Sequence, residues 1–163
     1  MDTARLTGRP VTAGDLGFVA GVWNDERVAP TIGGQRSLEE QRERIERWER
    51  HWRAHGFGVT LFHERTTGDP IGWGGLQHAT TGIGEHLTVG YVIAPDAWGH
   101  GYATEIATAS VAHAFDVLGV DELHASVFPT NRASRRVLEK AGLVVQCEVD
   151  HDDQIEVIYV IAR

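Results

Sequence analysis

Cysteine is nearly absent from this chain: its 163 residues include only one, Cys147. A single cysteine excludes an internal disulfide framework, on which many small secreted domains rely. No apolar run comes close to the length of about 18 uninterrupted residues that suggests a membrane-spanning helix. The first residues, Met1 to Arg5, also lack the basic and then apolar pattern of a signal peptide. We therefore expect a cytoplasmic protein with no membrane partner.

Basic side chains are in deficit, with 15 Lys and Arg against 23 Asp and Glu, for a formal net charge of −8. Binding to a nucleic acid needs clustered Lys and Arg to neutralise phosphates, so nucleic acid is not an expected partner. An acidic surface favours cationic partners such as amines. The apolar share of 42% is ordinary for a globular protein, and the length predicts one domain over residues 1–163.

Hydrophobic periodicity divides the chain into about seven strands and about four helices in the order β-α-α-β-β-β-α-β-α-β-β. Ser37 and Glu40 form a capping-box pattern at the start of the second helix, and Gly56 ends that helix. Turns are predicted at residues 66–69, 79–84 and 150–153. This order indicates an α/β (α+β) architecture, in which a mixed sheet carries helices on its faces.

The most informative segment joins the strand at residues 87–94 to the helix that follows it. Gly99-His100-Gly101 stands at this junction, directly before the helix. A glycine-spaced loop that opens a helix presents unpaired backbone N–H groups at the positive end of the helix dipole, and this arrangement binds phosphate or pyrophosphate. By itself the pattern also fits an ordinary strand–loop–helix turn. It does not fit a dinucleotide-binding fingerprint, because Thr104 stands where that pattern requires glycine.

The surrounding residues add a family resemblance. Asp96-Ala97-Trp98-Gly99-His100-Gly101-Tyr102-Ala103-Thr104-Glu105 resembles the acetyl-CoA pyrophosphate loop of the Gcn5-related N-acetyltransferase (GNAT) superfamily, and its Trp and its Gly-Tyr-Ala-Thr-Glu tail resemble the branch of ribosomal-protein N-terminal acetyltransferases. The element order is similar to that superfamily over nearly the whole chain. The resemblance implies one acyl-CoA N-acyltransferase domain with a centrally splayed sheet. It assigns cofactor binding to Trp98, Gly99, His100, Gly101, Tyr102, Ala103 and Thr104, and pantetheine contacts to Val92 and Ile93.

A second segment, residues 131–142, resembles the superfamily's Asn-x-x-Ala/Ser-x-x-x-Tyr-x-Lys-x-Gly stretch. The resemblance places Asn131 and Ser134 beside the thiol end of the cofactor. Asparagine and serine are also common at helix starts, so a plain helix cap remains an alternative for both residues.

Two departures from the family concern proton transfer. Leu138 stands where many members have the tyrosine that protonates the departing thiolate, so Ser134 is the candidate acid by resemblance to the ribosomal-protein branch. Thr88 stands where that branch often has a basic glutamate. Strand alternation puts His86 on the same side as Thr88, which makes His86 the candidate base. An exposed histidine without a role, with water as the base, is the alternative.

Histidines and aromatic residues suggest two further sites. His51 and His55 share one helix face, but they lack the glutamate of the His-Glu-x-x-His motif, and Gly56 ends the helix there. We therefore expect no metal. Trp48 and Trp52 follow an apolar helical stripe and should pack in the core. Trp73, flanked by glycines, is the candidate for an acceptor pocket.

Together these observations predict an acetyl-CoA-dependent N-acetyltransferase that acts by direct transfer in a ternary complex, because no nucleophile with an attendant base is visible. The acceptor is a primary amine, either a protein N-terminus or a small molecule such as an antibiotic or a polyamine. A catalytically silent acyl-CoA-binding sensor and a nucleotide-phosphate-binding protein are the alternatives. A homodimer is left open.

Overall fold

A seven-stranded mixed sheet with four helices organises the part of the chain that the computed structural model describes, residues 1–151 and 154–163. The strands are β1 (Leu6–Pro10), β2 (Val59–Glu64), β3 (Pro70–Thr81), β4 (Gly84–Ile93), β5 (Glu122–Val127), β6 (Val144–His151) and β7 (Gln154–Ala162). The helices are α1 (Leu16–Trp23), α2 (Leu38–His55), α3 (Tyr102–Asp116) and α4 (Arg132–Lys140). The predicted strand count, helix count and element order are confirmed.

The sheet is divided in the middle. Its order is β1-β2-β3-β4-β5-β7-β6, and every neighbouring pair is antiparallel except β4 and β5. These two parallel strands meet through one register pair, Thr88 with His124, whereas β3 and β4 stay paired from Gly72 to Thr81. Beyond Thr88 the two strands separate, which confirms the predicted central splay.

Different helices cover the two faces of the sheet. Trp23 of α1 and Trp48 of α2 pack over Leu61 and Trp73 of the β2–β3 half. On the other face, α3 and α4 pack against β4, β5 and β7 through a second apolar cluster that includes Ala107, Ala114, Leu123, Leu138 and Tyr159. Successive side chains along a strand point to opposite faces of the sheet, so the two apolar clusters lie on different faces. On β4 and β5, the face on the α1–α2 side lies outside the second cluster and can carry polar residues.

Trp73 belongs to this core, so its assignment to an acceptor pocket is wrong. It is 3% exposed and stacks on Trp23 with ring centroids 6.3 Å apart and an interplanar angle of 11°. The glycine beside it serves strand packing, because a Cβ on Gly74 would lie 2.7 Å from the carbonyl oxygen of Gly90 in β4. The close approach that glycine permits is to a neighbouring strand.

The α2 helix begins and ends where the sequence predicts. The Ser37 side chain accepts a hydrogen bond from the Glu40 amide at 3.2 Å, and the Ser37 amide donates to the Glu40 carboxylate at 2.7 Å. Gly56 closes the helix in the left-handed region with a φ of 74°. Among the described residues, none of the helices combines the length and the apolar character that a bilayer crossing requires.

The β-hairpins are longer than predicted. The expected turn at residues 79–84 is mostly strand, because Ala79 pairs with His86 and Thr81 with Gly84, which leaves two residues in the turn. These polar residues pair across the two strands, so the strands extend beyond the apolar run from which they were predicted. Asp150 and His151, expected in a turn, extend β6. The other two residues of that predicted turn, 152 and 153, lie outside the described residues.

Replacing Ser37 with alanine should reduce the free energy of unfolding by about 1 kcal/mol, since it removes one of the two reciprocal capping bonds of α2. Urea denaturation measures the change. Ser37→Asn, which keeps a capping acceptor, should stay close to the original protein. Equal losses in both variants would contradict the capping role.

Candidate functional site

The chain leaves β4 at Ile93 and enters α3 through a short loop whose shape depends on two glycines. A 3₁₀ turn spans Pro95–Ala97, and then Gly99 and Gly101 both lie in the left-handed region, with φ of 81° and 79°. Any other residue type would cost about 1 kcal/mol or more at such a position. The loop ends at the first turn of α3, whose leading N–H groups have no acceptor inside the helix. The predicted glycine-spaced loop directly before a helix is therefore present, with the free N–H groups on which an anion site depends.

Three aromatic side chains lie along this loop. The Trp98 indole N–H donates to the Ile93 carbonyl at 2.8 Å, which joins the loop to the end of β4, while the Trp98 side chain remains 46% exposed. The His100 and Tyr102 rings stack with centroids 5.6 Å apart. The loop thus presents exposed rings beside its backbone N–H groups.

The N-terminal segment holds the loop from the other side. The Arg5 Nε donates to a Glu105 carboxylate oxygen at 2.7 Å, and the Arg5 Nη1 donates to the His100 carbonyl at 2.8 Å. Thr3 and the Arg5 amide donate to the second Glu105 oxygen at 2.6 and 2.8 Å. Burial opposes ionisation of Glu105, but these hydrogen bonds outweigh it and hold the pKa of Glu105 below its usual value. Sequence reasoning missed Arg5, because it lies 100 residues from its partner.

A cavity of about 150 Å³ lies where β4 and β5 separate. Its walls come from β4, β5, the start of α4, the loop after α1, and one residue of β7. They are Thr31, Ile32, Val89, Gly90, Tyr91, Ala125, Ser126, Val127, Phe128, Asn131, Ser134, Leu138 and Glu156. The structure therefore brings the two predicted residues of the second motif, Asn131 and Ser134, to the gap in the sheet.

Asn131 acts as a helix cap and as a link between two elements. Its side-chain oxygen accepts a hydrogen bond from the Ser134 amide at 3.1 Å, which confirms the capping interpretation. Its amide nitrogen donates to the Thr31 carbonyl at 3.3 Å. The loop after α1 is thereby attached to α4 at the edge of the cavity.

Ser134 has a phenol beside its hydroxyl. The Tyr91 hydroxyl donates to the Ser134 carbonyl at 3.1 Å and lies 3.0 Å from the Ser134 Oγ. Burial raises the pKa of Tyr91 above its usual value, so this phenol keeps its proton at neutral pH. Leu138 is only 2% exposed and offers no proton. Two hydroxyl groups therefore meet at this wall of the cavity, one of them from β4.

Thr88 and His86 have other partners. The buried Thr88 hydroxyl donates to the Gln77 carbonyl at 3.0 Å. His86 lies near the hairpin end of β4, with its Nε2 3.1 Å from the Ile83 carbonyl and its ring 4.4 Å from that of His124. Five residues of strand separate His86 from Tyr91, a span of about 17 Å. His86 is thus not among the residues that line the cavity.

Of the described residues that line this cavity, Glu156 alone carries a carboxylate. It lies on β7, next to Val157 and Ile158, which pair with Val127 and Ser126 of β5. Its Oε2 atom is shielded from solvent. Sequence reasoning missed this residue because it belongs to no motif. The one available signal was an acidic residue inside the apolar run of the last strand.

A larger cavity of about 500 Å³ lies between α1, the start of β3 and the glycine loop, and His100 and Tyr102 of that loop are among its lining residues. Its charged lining residues include Asp25, Glu64, Asp69 and Asp96 together with Arg27. Hydrogen bonds from Arg27 lower the pKa of Asp25 to about 2, so this carboxylate is ionised and engaged. The excess of negative charge disfavours a phosphate group there, and the small cavity in the gap remains the candidate site.

Glu105→Gln should lower the free energy of unfolding at pH 7 by about 1 kcal/mol, because a charged acceptor of three donors becomes neutral. The folded pKa of Glu105 lies below the unfolded value, so its contribution is complete above about pH 4.5 and is lost as the pH falls through the folded pKa. The difference between the two proteins should therefore narrow at pH 3.5 in urea titrations. Glu46→Gln, in an exposed pair with Arg50, is the control and should change little at either pH. A stability difference that does not depend on pH would contradict the contribution of the Glu105 charge.

Comparison with known proteins identifies the family. Residues 5–144 match the family model described as acetyltransferase (GNAT) domain. The uncharacterized N-acetyltransferase YoaA of Bacillus subtilis is 29% identical over 147 residues, which cover 87% of this chain and 81% of YoaA. The crystal structure of an acetyltransferase from Agrobacterium tumefaciens superposes with a TM-score of 0.88 at 26% identity and covers 100% of this chain and 94% of its own.

More distant structures share the fold. The ribosomal-protein-S5-alanine acetyltransferase of Vibrio fischeri has a TM-score of 0.76 at 15% identity, covering 99% of this chain and 95% of its own. The spermidine N-acetyltransferase of Vibrio cholerae, solved with CoA and spermine, has a TM-score of 0.75 at 18% identity, covering 98% and 96%. The match of the family model over most of the chain carries the assignment: this protein belongs to the GNAT family of acetyltransferases.

Proposed function

We propose that this protein is a single acyl-CoA N-acyltransferase domain that moves an acetyl group from acetyl-CoA to a primary amine by direct attack in a ternary complex. The observation that carries the proposal is that two features share strand β4. A helix-opening glycine loop suited to a pyrophosphate follows the end of β4, and a cavity with polar walls lies where β4 and β5 separate. Membership of an acetyltransferase family supplies the reaction class.

In this proposal the loop from Trp98 to Thr104 binds the pyrophosphate, with backbone N–H groups as donors and the dipole of α3 in support. Arg5 adds a positive charge beside the loop, since its guanidinium lies 4.7 Å from the centre of the Tyr102 ring. Since Arg5 already binds Glu105 and His100, it acts mainly by holding the loop in shape.

The pantetheine arm enters the gap along the exposed side of β4. Ala94 donates its amide hydrogen to Ile71 of β3 at 2.8 Å, so strand alternation directs the backbone groups of Val92 toward β3 as well. Those of Tyr91 and Ile93 then face β5. We therefore assign the pantetheine contacts to Tyr91 and Ile93. Val92, which the family resemblance had included, contributes its side chain to the core against Trp73.

The reaction needs a base for the ammonium, an amine in line with the carbonyl, and a donor for the departing sulfur. The deprotonated amine attacks the thioester carbonyl, a C–N bond forms and the C–S bond breaks. The proton that the nitrogen loses as it becomes an amide passes through the Ser134 hydroxyl to the departing sulfur. The Ser134 hydroxyl donates a hydrogen bond to the sulfur as negative charge develops on it. The Tyr91 phenol supplies the hydrogen-bond partner that a serine hydroxyl needs, because serine alone is a weak acid.

Glu156 is the base that we favour, because it lines the same cavity as Ser134 and a carboxylate also attracts a protonated amine. His86 remains the competing candidate from the sequence. For His86 to act, the proton would have to travel the length of the strand between His86 and the cavity. A carboxylate in the cavity wall needs no such path.

The acceptor is a primary amine, a protein N-terminus or a small molecule. The two Vibrio neighbours have names that specify one of each: an alanine of a ribosomal protein and a polyamine. Thr31 and Ile32 line the cavity from the loop after α1, and we assign the approach of the acceptor to this wall. A panel of amines therefore has to include both kinds.

The purified protein should bind CoA and release free thiol from acetyl-CoA in the presence of at least one amine of such a panel. Calorimetry measures binding, and a thiol-reactive dye measures turnover. Tight acetyl-CoA binding without turnover on any amine would favour the silent sensor. Thermal stabilisation by ATP or NAD but not by CoA would favour a nucleotide-phosphate-binding protein.

Gly101→Val should weaken CoA binding more than tenfold, above about 1.4 kcal/mol, because a branched side chain blocks the pyrophosphate and strains a position with φ of 79°. Gly119→Val is the matched control. Gly119 also has a positive φ, 66°, with open space around it, but lies beyond the end of α3. It should lose stability and keep its affinity for CoA. Unchanged CoA affinity in a folded Gly101→Val variant would contradict the assignment of the loop to pyrophosphate binding.

Glu156→Gln should lower kcat by at least tenfold and leave CoA binding unchanged, because it removes the base and keeps the size of the side chain. Raising the pH should partly restore its rate, since more of the amine is then already deprotonated. His86→Asn should retain most of the activity. The opposite pattern, with His86→Asn inactive and Glu156→Gln active, would return the base to His86.

A further inference from the structure

Three histidines from two distant stretches of sequence meet beside the end of α2. His51 and His55 lie on successive turns of α2, and His78 comes from β3. Their ring centroids are 4.5 Å apart for His51 and His55, 4.7 Å for His55 and His78, and 5.5 Å for His51 and His78. One ring nitrogen from each lies within 4.8 Å of the others. The sequence predicted no metal because it offered only the helical pair, and the third member arrives through the fold.

The end of β2 explains why they meet. Pairing between β2 and β3 begins at Val59 with Gly75, so β3 continues past this point without β2 beside it. The end of α2 occupies that edge. There the His78 amide donates to the Nε2 of His51 at 3.0 Å, while the Nδ1 of His51 lies 3.0 Å from the Phe57 carbonyl.

These two contacts determine the protonation of His51. The carbonyl of Phe57 only accepts, and the amide of His78 only donates, so the ring carries its proton on Nδ1 and its lone pair on Nε2. Neutral imidazole with an N–H bonded to a backbone carbonyl is the form in which histidine binds metals in proteins.

We propose that His51, His55 and His78 bind a Zn²⁺ ion through one nitrogen each, with water in the fourth position. A zinc–nitrogen distance of about 2.0–2.1 Å in tetrahedral geometry places the nitrogens roughly 3.4 Å apart, so the three rings must close by about an ångström. His55 and His78 are exposed and free to rotate. The Nε2 of His51 exchanges the His78 amide for the ion, and its bond to the Phe57 carbonyl is retained.

The ion would join α2 to β3 away from the acyl-transfer cavity. Along β3, His78 lies three residues from Gly75, which pairs with the cavity-lining Gly90, a span of about 10 Å. The expected role is therefore to fasten the α1–α2 layer to the sheet. Zinc should raise the thermal unfolding temperature, since a ligand that binds only the folded state stabilises it.

Calorimetric titration of the chelator-treated protein with ZnCl₂ tests the proposal, with the visible absorption of Co²⁺ as a second readout of imidazole coordination. One ion should bind per chain. His55→Ala and His78→Ala should each weaken binding at least tenfold and abolish the zinc-dependent thermal shift. Both side chains are exposed, so the variants should fold, which circular dichroism checks.

Two controls separate this site from adventitious binding. His113→Ala removes a histidine on α3, and Cys147→Ser removes the single thiol. Both variants should bind zinc like the original protein. Absence of zinc binding to the original protein, equal affinity in the His55 and His78 variants, or loss of binding in Cys147→Ser would each overturn the proposal.

Discussion

The structure depends on the separation of two parallel strands. β4 and β5 share one register pair, at Thr88 and His124, and diverge beyond it. Parallel neighbours require a crossover, and α3 provides it, so the start of that helix necessarily stands at the head of the gap. Both the glycine loop and the cavity therefore follow from the parallel arrangement of β4 and β5. The backbone edge of β4 exposed by the separation is a place where a ligand can replace a missing strand.

A loop with two left-handed glycines is flexible in isolation, and the N-terminus removes that freedom. Glycine loses more conformational entropy than other residues when it is fixed, so a pre-shaped loop needs external contacts. Arg5 supplies them by binding both the His100 carbonyl inside the loop and the Glu105 carboxylate in the first turn of the helix. This arrangement orders the loop before a ligand arrives, which reduces the entropic cost of binding.

What the sequence could predict was local. The glycine loop, the capping box at Ser37 and the cap at Asn131 depend on residues within a few positions of one another, and the structure confirms their geometry. The interactions that escaped prediction join distant residues. Arg5 contacts Glu105, which lies 100 positions away in the sequence. Trp73 lies in the core because α1 and α2 cover it. Spacing along a chain carries no signal for such contacts.

The two departures from the family pattern show that polar groups can reach the cavity from places in the sequence other than the motif positions. Thr88 and Leu138 stand where a glutamate and a tyrosine are usual, and both are buried with structural tasks. Polar groups reach the cavity from other elements: the Tyr91 phenol from β4 and the Glu156 carboxylate from β7. Proton transfer requires a group within hydrogen-bond reach of the reacting atom, whichever strand supplies it. The silent-sensor alternative rests on those two positions alone, whereas the hydroxyl and carboxylate groups of the cavity come from other elements of the fold.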